Sequence, residues 1–98
     1  MWRQGDVFLA GVASLPEGAS PRAGGVLVEG ELTGHSHRLE KAGVGEVLEH
    51  RGTLYLRVTA RQATIVHQEH GLITLPRGSY RVWQQREYTP QAVRTVAD

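Results

Sequence analysis

Apolar and polar residues alternate along this chain over short stretches, and glycine or proline interrupts them every ten residues or so. That pattern predicts short antiparallel strands joined by tight turns. Asp6 to Val12 reads as a first strand, closed by Leu15-Pro16-Glu17-Gly18. The polar stretch Ala19 to Gly25 reads as a flexible loop, and Val26 to Gly30 as a second strand. A third is expected around Gly34 to Glu40, with a turn at Gly43 and Gly45 behind it.

The clearest hairpin signal is Glu46 to His50, then Arg51-Gly52, then Thr53 to Val58. In its second arm Leu54, Leu56 and Val58 share one face, and Tyr55 and Arg57 share the other. Gly52 supplies the positive φ that a two-residue connection needs. Further strands are expected at Ala63 to His67, Leu72 to Leu75 and Ser79 to Glu87, with Leu75-Pro76-Arg77-Gly78 as a turn. Only the tail reads as helical. Thr89 is placed as N-cap, Pro90 as first helical residue, and Gln91 to Ala97 as two turns with Val93 and Val96 on one side. Seven or eight short strands in one domain spanning residues 1–98 predict a mainly β fold: a small antiparallel barrel or two-sheet sandwich with one short C-terminal helix.

Composition narrows the chemistry. Cysteine is absent, which excludes disulfides, thiolate metal ligands and thiol nucleophiles. Apolar runs such as Val7-Phe8-Leu9-Ala10 are too short for a transmembrane helix. The chain starts without a leader-like segment, so a cytoplasmic location is the expectation. Charge is divided unevenly: residues 1–50 hold four basic and seven acidic side chains, residues 51–98 seven basic and three acidic. Ten of the eleven basic residues are arginine. Arginine suits bidentate phosphate contacts, so the second half is a candidate surface for nucleic acid or an acidic partner. A GC-rich coding sequence, which favours Arg, Gly, Ala and Val together, gives the same bias.

Four of the five histidines fall in two clusters, His35-Ser36-His37 and His67-Gln68-Glu69-His70, with Glu40 near the first. Strand alternation aims His35 and His37 at one side, and likewise His67 and Glu69; His70 joins them only if the chain turns there. A divalent transition metal such as Zn, Fe, Mn or Ni takes three or four nitrogen or oxygen ligands, and imidazole is a common one. His35, His37, His67 and His70 are therefore the candidate ligands, with Glu69 or Glu40 as a further ligand or general base. Three ligands would leave a position for water and hence for hydrolysis. The alternatives are solvated side chains, or imidazoles hydrogen-bonded in a polar interior. His50, before the Arg51-Gly52 turn, reads as a surface residue.

Gly30, His35-Ser36-His37, Glu40, Gly71 and Pro76-Arg77-Gly78 together resemble the cupin family. That resemblance implies a double-stranded barrel holding a divalent metal. The spacing departs from the family pattern: Glu40 follows His37 closely, and no histidine follows Pro76-Arg77-Gly78. The wider set Thr33-Gly34-His35-x-His37-Arg38, His67-x-Glu69-His70 and Leu75-Pro76-x-Gly78-x-Tyr80 looks like small uncharacterised proteins of bacteria and phages. Finally, many short strands leave unpaired edges, which predicts a homo-oligomer, most simply a dimer.

Overall fold

A computed structural model describes residues 1–29, 34–88 and 93–95. The first hairpin joins β1 (Trp2–Gln4) to β2 (Val7–Val12), with Gln4 opposite Val7. Gly5 and Asp6 form its two-residue connection, and Gly5 has φ 58°, as the first position of a type II′ turn requires. Then come β3 (Ser20–Arg22), β4 (Val26–Glu29), β5 (Ser36–Leu39) and β6 (Gly45–His50). The long strands β7 (Thr53–Val66) and β8 (Ile73–Gln84) follow, and β9 (Arg86–Tyr88) pairs with β10 (Val93–Thr95) in a separate small sheet. Arg51 and Gly52, both at positive φ (50° and 78°), make the tight connection from β6 to β7.

All strand pairing among the described residues is antiparallel. β8 lies along one edge of β7; the opposite edge is shared, with β6 on its first half (Val47 opposite Leu56) and β5 on its second (Leu39 opposite Ile65). β3 extends the β6 arm and β4 the β5 arm. Two arms on one edge fork the sheet. Its path runs β1-β2-β8-β7-β5-β4, and no pairing among the described residues joins the two ends. The architecture is thus an open, forked eight-stranded sheet, which corrects the expected barrel or sandwich and the barrel implied by the cupin resemblance.

Both halves of β7 face one core. Leu56 and Val58 are buried from the first half, and Ala63 and Ile65 from the second. The switch from even to odd positions is made at an irregularity: Val58 pairs with Gly78, but Gln62 pairs with Pro76. β7 thus spends two more residues than β8 there, and both strands change phase, from Leu75 to Tyr80 and Val82 on β8. The bulge is stitched in place. Thr59 and Ala60 donate their amides to the Val44 carbonyl at 3.0 and 3.1 Å, Arg77 Nε donates to the Ala60 carbonyl, and the Tyr80 hydroxyl donates to the Pro76 carbonyl at 2.5 Å. Val7, Leu9, Leu27, Leu39, Val47 and Leu75 complete the cluster, and Trp2 packs edge-on to Tyr80 at 5.4 Å.

Three further expectations need correction. Leu75 to Gly78 is a bulged stretch of β8, not a turn. The expected loop over 19–25 contains β3, an exposed strand that carries Pro21 on the sheet's rim. In the expected C-terminal helix, Val93–Thr95 is a strand; Thr89, Pro90 and the rest of that helix lie outside the described residues, as do Gly30 and Thr33. No helix among the described residues is long and apolar enough to cross a membrane.

Candidate functional site

The β1–β2 turn places two polar side chains inside the protein. Cross-strand partners share a face, so Gln4 follows Val7 inward, and Asp6 is held at the turn itself. They are 2% and 3% exposed. Gln4 Nε2 donates to the carbonyls of Ile65 at 2.9 Å and Gly71 at 3.0 Å. With the amide's donor side used twice, its oxygen can only accept. His37 Nδ1, 2.9 Å from Gln4 Oε1, is therefore the donor, which fixes the Nδ1–H tautomer. The opposite ring nitrogen, Nε2, lies 3.4 Å from Asp6 Oδ1. His37 has no solvent exposure. Asp6 is positioned from a third strand: Gln84 Nε2 donates to Oδ2 at 2.6 Å, and the Gln85 amide donates to the Asp6 carbonyl at 2.7 Å.

The remaining imidazoles gather around this pair. After β7 ends at Val66 the chain bends through Gln68 to His70, which brings His70 to the same side as His67. His67 is central: its ring centroid is 4.2 Å from that of His37, 4.6 Å from His70 and 5.5 Å from His35. His37 and His70 are 6.1 Å apart with nearly parallel rings. His67 Nδ1 accepts the Glu69 amide at 3.0 Å, so a neutral His67 carries its proton on Nε2, the reverse of His37. His70 rests against bare backbone; a Cβ on Gly5 would stand 2.5 Å from its Nε2. His35 is at the rim, its side chain 26% exposed, with Nδ1 3.5 Å from the exposed Glu69 carboxylate.

The structure thus brings His35, His37, His67 and His70 together with Glu69 at their edge. Glu40 is placed elsewhere. It is exposed just beyond β5, out of phase with the inward-facing His37 and Leu39, and its amide donates to the Thr64 carbonyl. An imidazole bound at about 2.1 Å has its centroid about 3.2 Å from the ion, so rings that share an ion are at most about 6.4 Å apart. These four ring separations meet that limit. Among the described residues, however, no three His, Asp or Glu side chains already converge on one point as ligands.

Gln4, Asp6 and Gln84 were not singled out by the sequence. One signal did exist: Gly5-Asp6 between two strand-like runs reads as a two-residue turn, and that register alone sets Gln4 opposite Val7, on the inward face.

No curated protein and no solved structure matches the chain. A family model described as a domain of unknown function, DUF8820, matches residues 3–85, from β1 through the end of β8 and therefore across Gln4, Asp6 and all four gathered histidines, and the chain belongs to that family.

Proposed function

We propose that the histidine cluster is a divalent transition-metal site, with His37 Nε2, Asp6 Oδ1 and His70 Nε2 as its ligands. The observation that carries this reading is the pairing of His37 Nε2 with Asp6 Oδ1 at 3.4 Å while Nδ1 is locked onto Gln4. Two ligands with bonds of about 2.1 Å at a tetrahedral angle are about 3.4 Å apart. A ligating histidine commonly donates its other N–H to a fixed acceptor that sets tautomer and ring orientation, and Gln4 has that role here. His70 Nε2 and Asp6 Oδ1 are buried and have no hydrogen-bond partner among the described residues.

His67 takes a different part in this arrangement. With Nδ1 accepting the Glu69 amide, its Nε2 carries hydrogen, and the ring packs against His37 and His70. Three protein ligands leave a position for water, and the chemistry such a site supports is hydrolysis. Glu69, beside His35 at the solvent edge, is the carboxylate to which we assign the general-base role.

The test is metal content and titration with the untagged protein. Elemental analysis should find about one ion per chain, and calorimetry with Zn²⁺ on the metal-stripped protein should show a saturable site. His37→Ala, His70→Ala and Asp6→Asn should each lose it, while His50→Ala, at the β6–β7 turn, should keep it. A folded protein that neither carries metal nor releases heat with Zn²⁺, Mn²⁺, Fe²⁺ or Ni²⁺ would overturn the reading.

A second reading, a single-stranded nucleic-acid surface, is favoured by one feature of the outer sheet face. Arg3 lies 5.2 Å over the Phe8 ring, Phe8 stacks on Trp83 at 5.7 Å, and Arg81 lies 5.3 Å over Trp83. Alternating guanidinium and aromatic groups suit phosphate and base together. It requires a salt-dependent affinity for oligo-dT that Trp83→Ala weakens; equal affinity of the variant, or none at low salt, excludes it.

A further inference from the structure

The fork in the sheet creates a second concave feature, away from the histidines. The β3–β4 connection, residues 23–25, and the β5–β6 connection, residues 40–44, stand side by side where the two arms part, and they bound a cleft of about 420 Å³. That volume falls in the range of small-molecule sites, roughly 300–1,000 Å³. Its wall includes the Leu39 side chain, a core residue only 8% exposed. Gly24 and Gly43, at φ 79° and 82°, line it with bare backbone, and a Cβ on either would meet nothing within 4 Å. Gly45 also lines it, and there the close approach is structural: a Cβ would stand 2.6 Å from the Arg57 carbonyl oxygen.

The charge of this cleft is unbalanced. Arg22 and Lys41 line it, both exposed and neither in an ion pair among the described residues. The carboxylate in its lining, Glu46, is already neutralised by Arg57, with Nη1 2.6 Å from Oε1. Two cations without an ion-pair partner among the described residues therefore line a cleft together with glycine backbone and one apolar side chain. We propose that this cleft binds a small organic phosphomonoester. The phosphate, with roughly −1.5 to −2 charges at neutral pH, sits between Arg22 and Lys41, and the organic body lies on Leu39. This site is separate from the metal proposal and does not depend on it.

The experiment is a titration of ¹⁵N-labelled protein with phenyl phosphate, with inorganic phosphate and benzoate as comparison probes, followed by amide shifts. Saturable shifts centred on Gly24, Gly25, Gly43 and Gly45 are expected. Phenyl phosphate should bind more tightly than either comparison probe. Arg22→Gln and Lys41→Gln, both at exposed positions, should each weaken binding roughly fivefold, and His50→Ala, at the β6–β7 turn, should leave it unchanged. Shifts that do not saturate, that centre elsewhere, or that both glutamine variants leave intact overturn the proposal. Benzoate binding as tightly as phenyl phosphate overturns the phosphate assignment.

Discussion

Gln4 is the side chain on which the geometry of the histidine cluster rests, and replacing it with leucine tests that directly. The side chain is 2% exposed and makes three hydrogen bonds, to the Ile65 carbonyl, the Gly71 carbonyl and His37 Nδ1. Leucine keeps much of the volume and removes all three. A satisfied hydrogen bond contributes about 0.5–1.5 kcal/mol, and a buried polar group left without a partner costs about 1–3 kcal/mol. The Ile65 carbonyl lies in the sheet, and Gly71 is exposed enough to recruit water, so His37 Nδ1–H is the group most fully orphaned. A destabilisation of about 2–4 kcal/mol follows, which for a domain of this length lowers Tm by roughly 10–25 °C. Urea denaturation measures the free energy, and ¹⁵N spectra of the imidazoles give the tautomer of His37. Gln4→Glu separates the two functions of the amide, since it retains an acceptor for His37 but sets a carboxylate against two carbonyl oxygens. It should be at least as damaging to stability while keeping the Nδ1–H signature. A Gln4→Leu protein within 0.5 kcal/mol of the parent, roughly the scatter of a neutral surface change, or one whose His37 tautomer is unaltered, would refute the reasoning.

Gly5→Ala should displace His70, because the new methyl stands 2.5 Å from Nε2 at a backbone φ of 58°; about 1–3 kcal/mol of stability should go with it, and an unshifted His70 ring resonance would count against the packing described. Arg51→Gly should stabilise the β6–β7 turn by about 0.5–1 kcal/mol, since Arg51 is held at φ 50°; a lower urea midpoint would contradict this. Burial raises the Tyr80 hydroxyl above the ordinary tyrosine value, so the fold favours its protonated form. That contribution is complete below the ordinary value near 10 and is lost as pH rises through it toward the higher folded value. A urea-midpoint series at alkaline pH should therefore fall less steeply in Tyr80→Phe; parallel curves would show that another group is responsible. The ends of the sheet path at β1 and β4 offer unpaired edges among the described residues, so light scattering should give a multiple of 10.8 kDa, and a mass of 10.8 kDa itself would disprove association.

Where alternation kept one phase, the strands were legible from sequence. β2 and the β6–β7 hairpin form where Val7-x-Leu9 and Leu54-x-Leu56-x-Val58 place them, with Arg51-Gly52 at the turn. The two longest strands were each read as two because their inward face changes parity, from even to odd between Val58 and Ala63 on β7 and from odd to even between Leu75 and Tyr80 on β8. A change of phase beside Pro76 and Gly78 has the local appearance of a turn. What distinguishes it is the Val44 carbonyl accepting two amides from another strand, a contact that no local pattern encodes. The same strand length hid the fork. Fourteen residues give β7 room for two neighbours on one edge, and two short strands would have suggested closure instead.

The site divides along the same line. Four histidines in two clusters gave the imidazoles by residue type alone, and the bend at Gln68–His70 brings in the one that strand alternation left out. Glu40, offered beside Glu69 as a further ligand or general base, instead lies exposed beyond β5, out of phase with His37. The parts that give the cluster its order carried little signal beyond the Gly5-Asp6 turn register, because glutamine and aspartate ordinarily face water. Gln4 and Asp6 are buried through pairings with the Ile65 and Gly71 carbonyls and with Gln84, which are 61 to 78 residues away in sequence. One long-range partner and one local one set the tautomers of the two innermost histidines. His37, turned by Gln4 so that Nε2 meets Asp6, and His67, turned the other way by the Glu69 amide, are the same residue type 4.2 Å apart with opposite tautomers. Counting imidazoles cannot tell them apart. The hydrogen bond on Nδ1 can, and under the proposed metal site it leaves His37 Nε2 bare toward Asp6 while His67 Nε2 carries hydrogen.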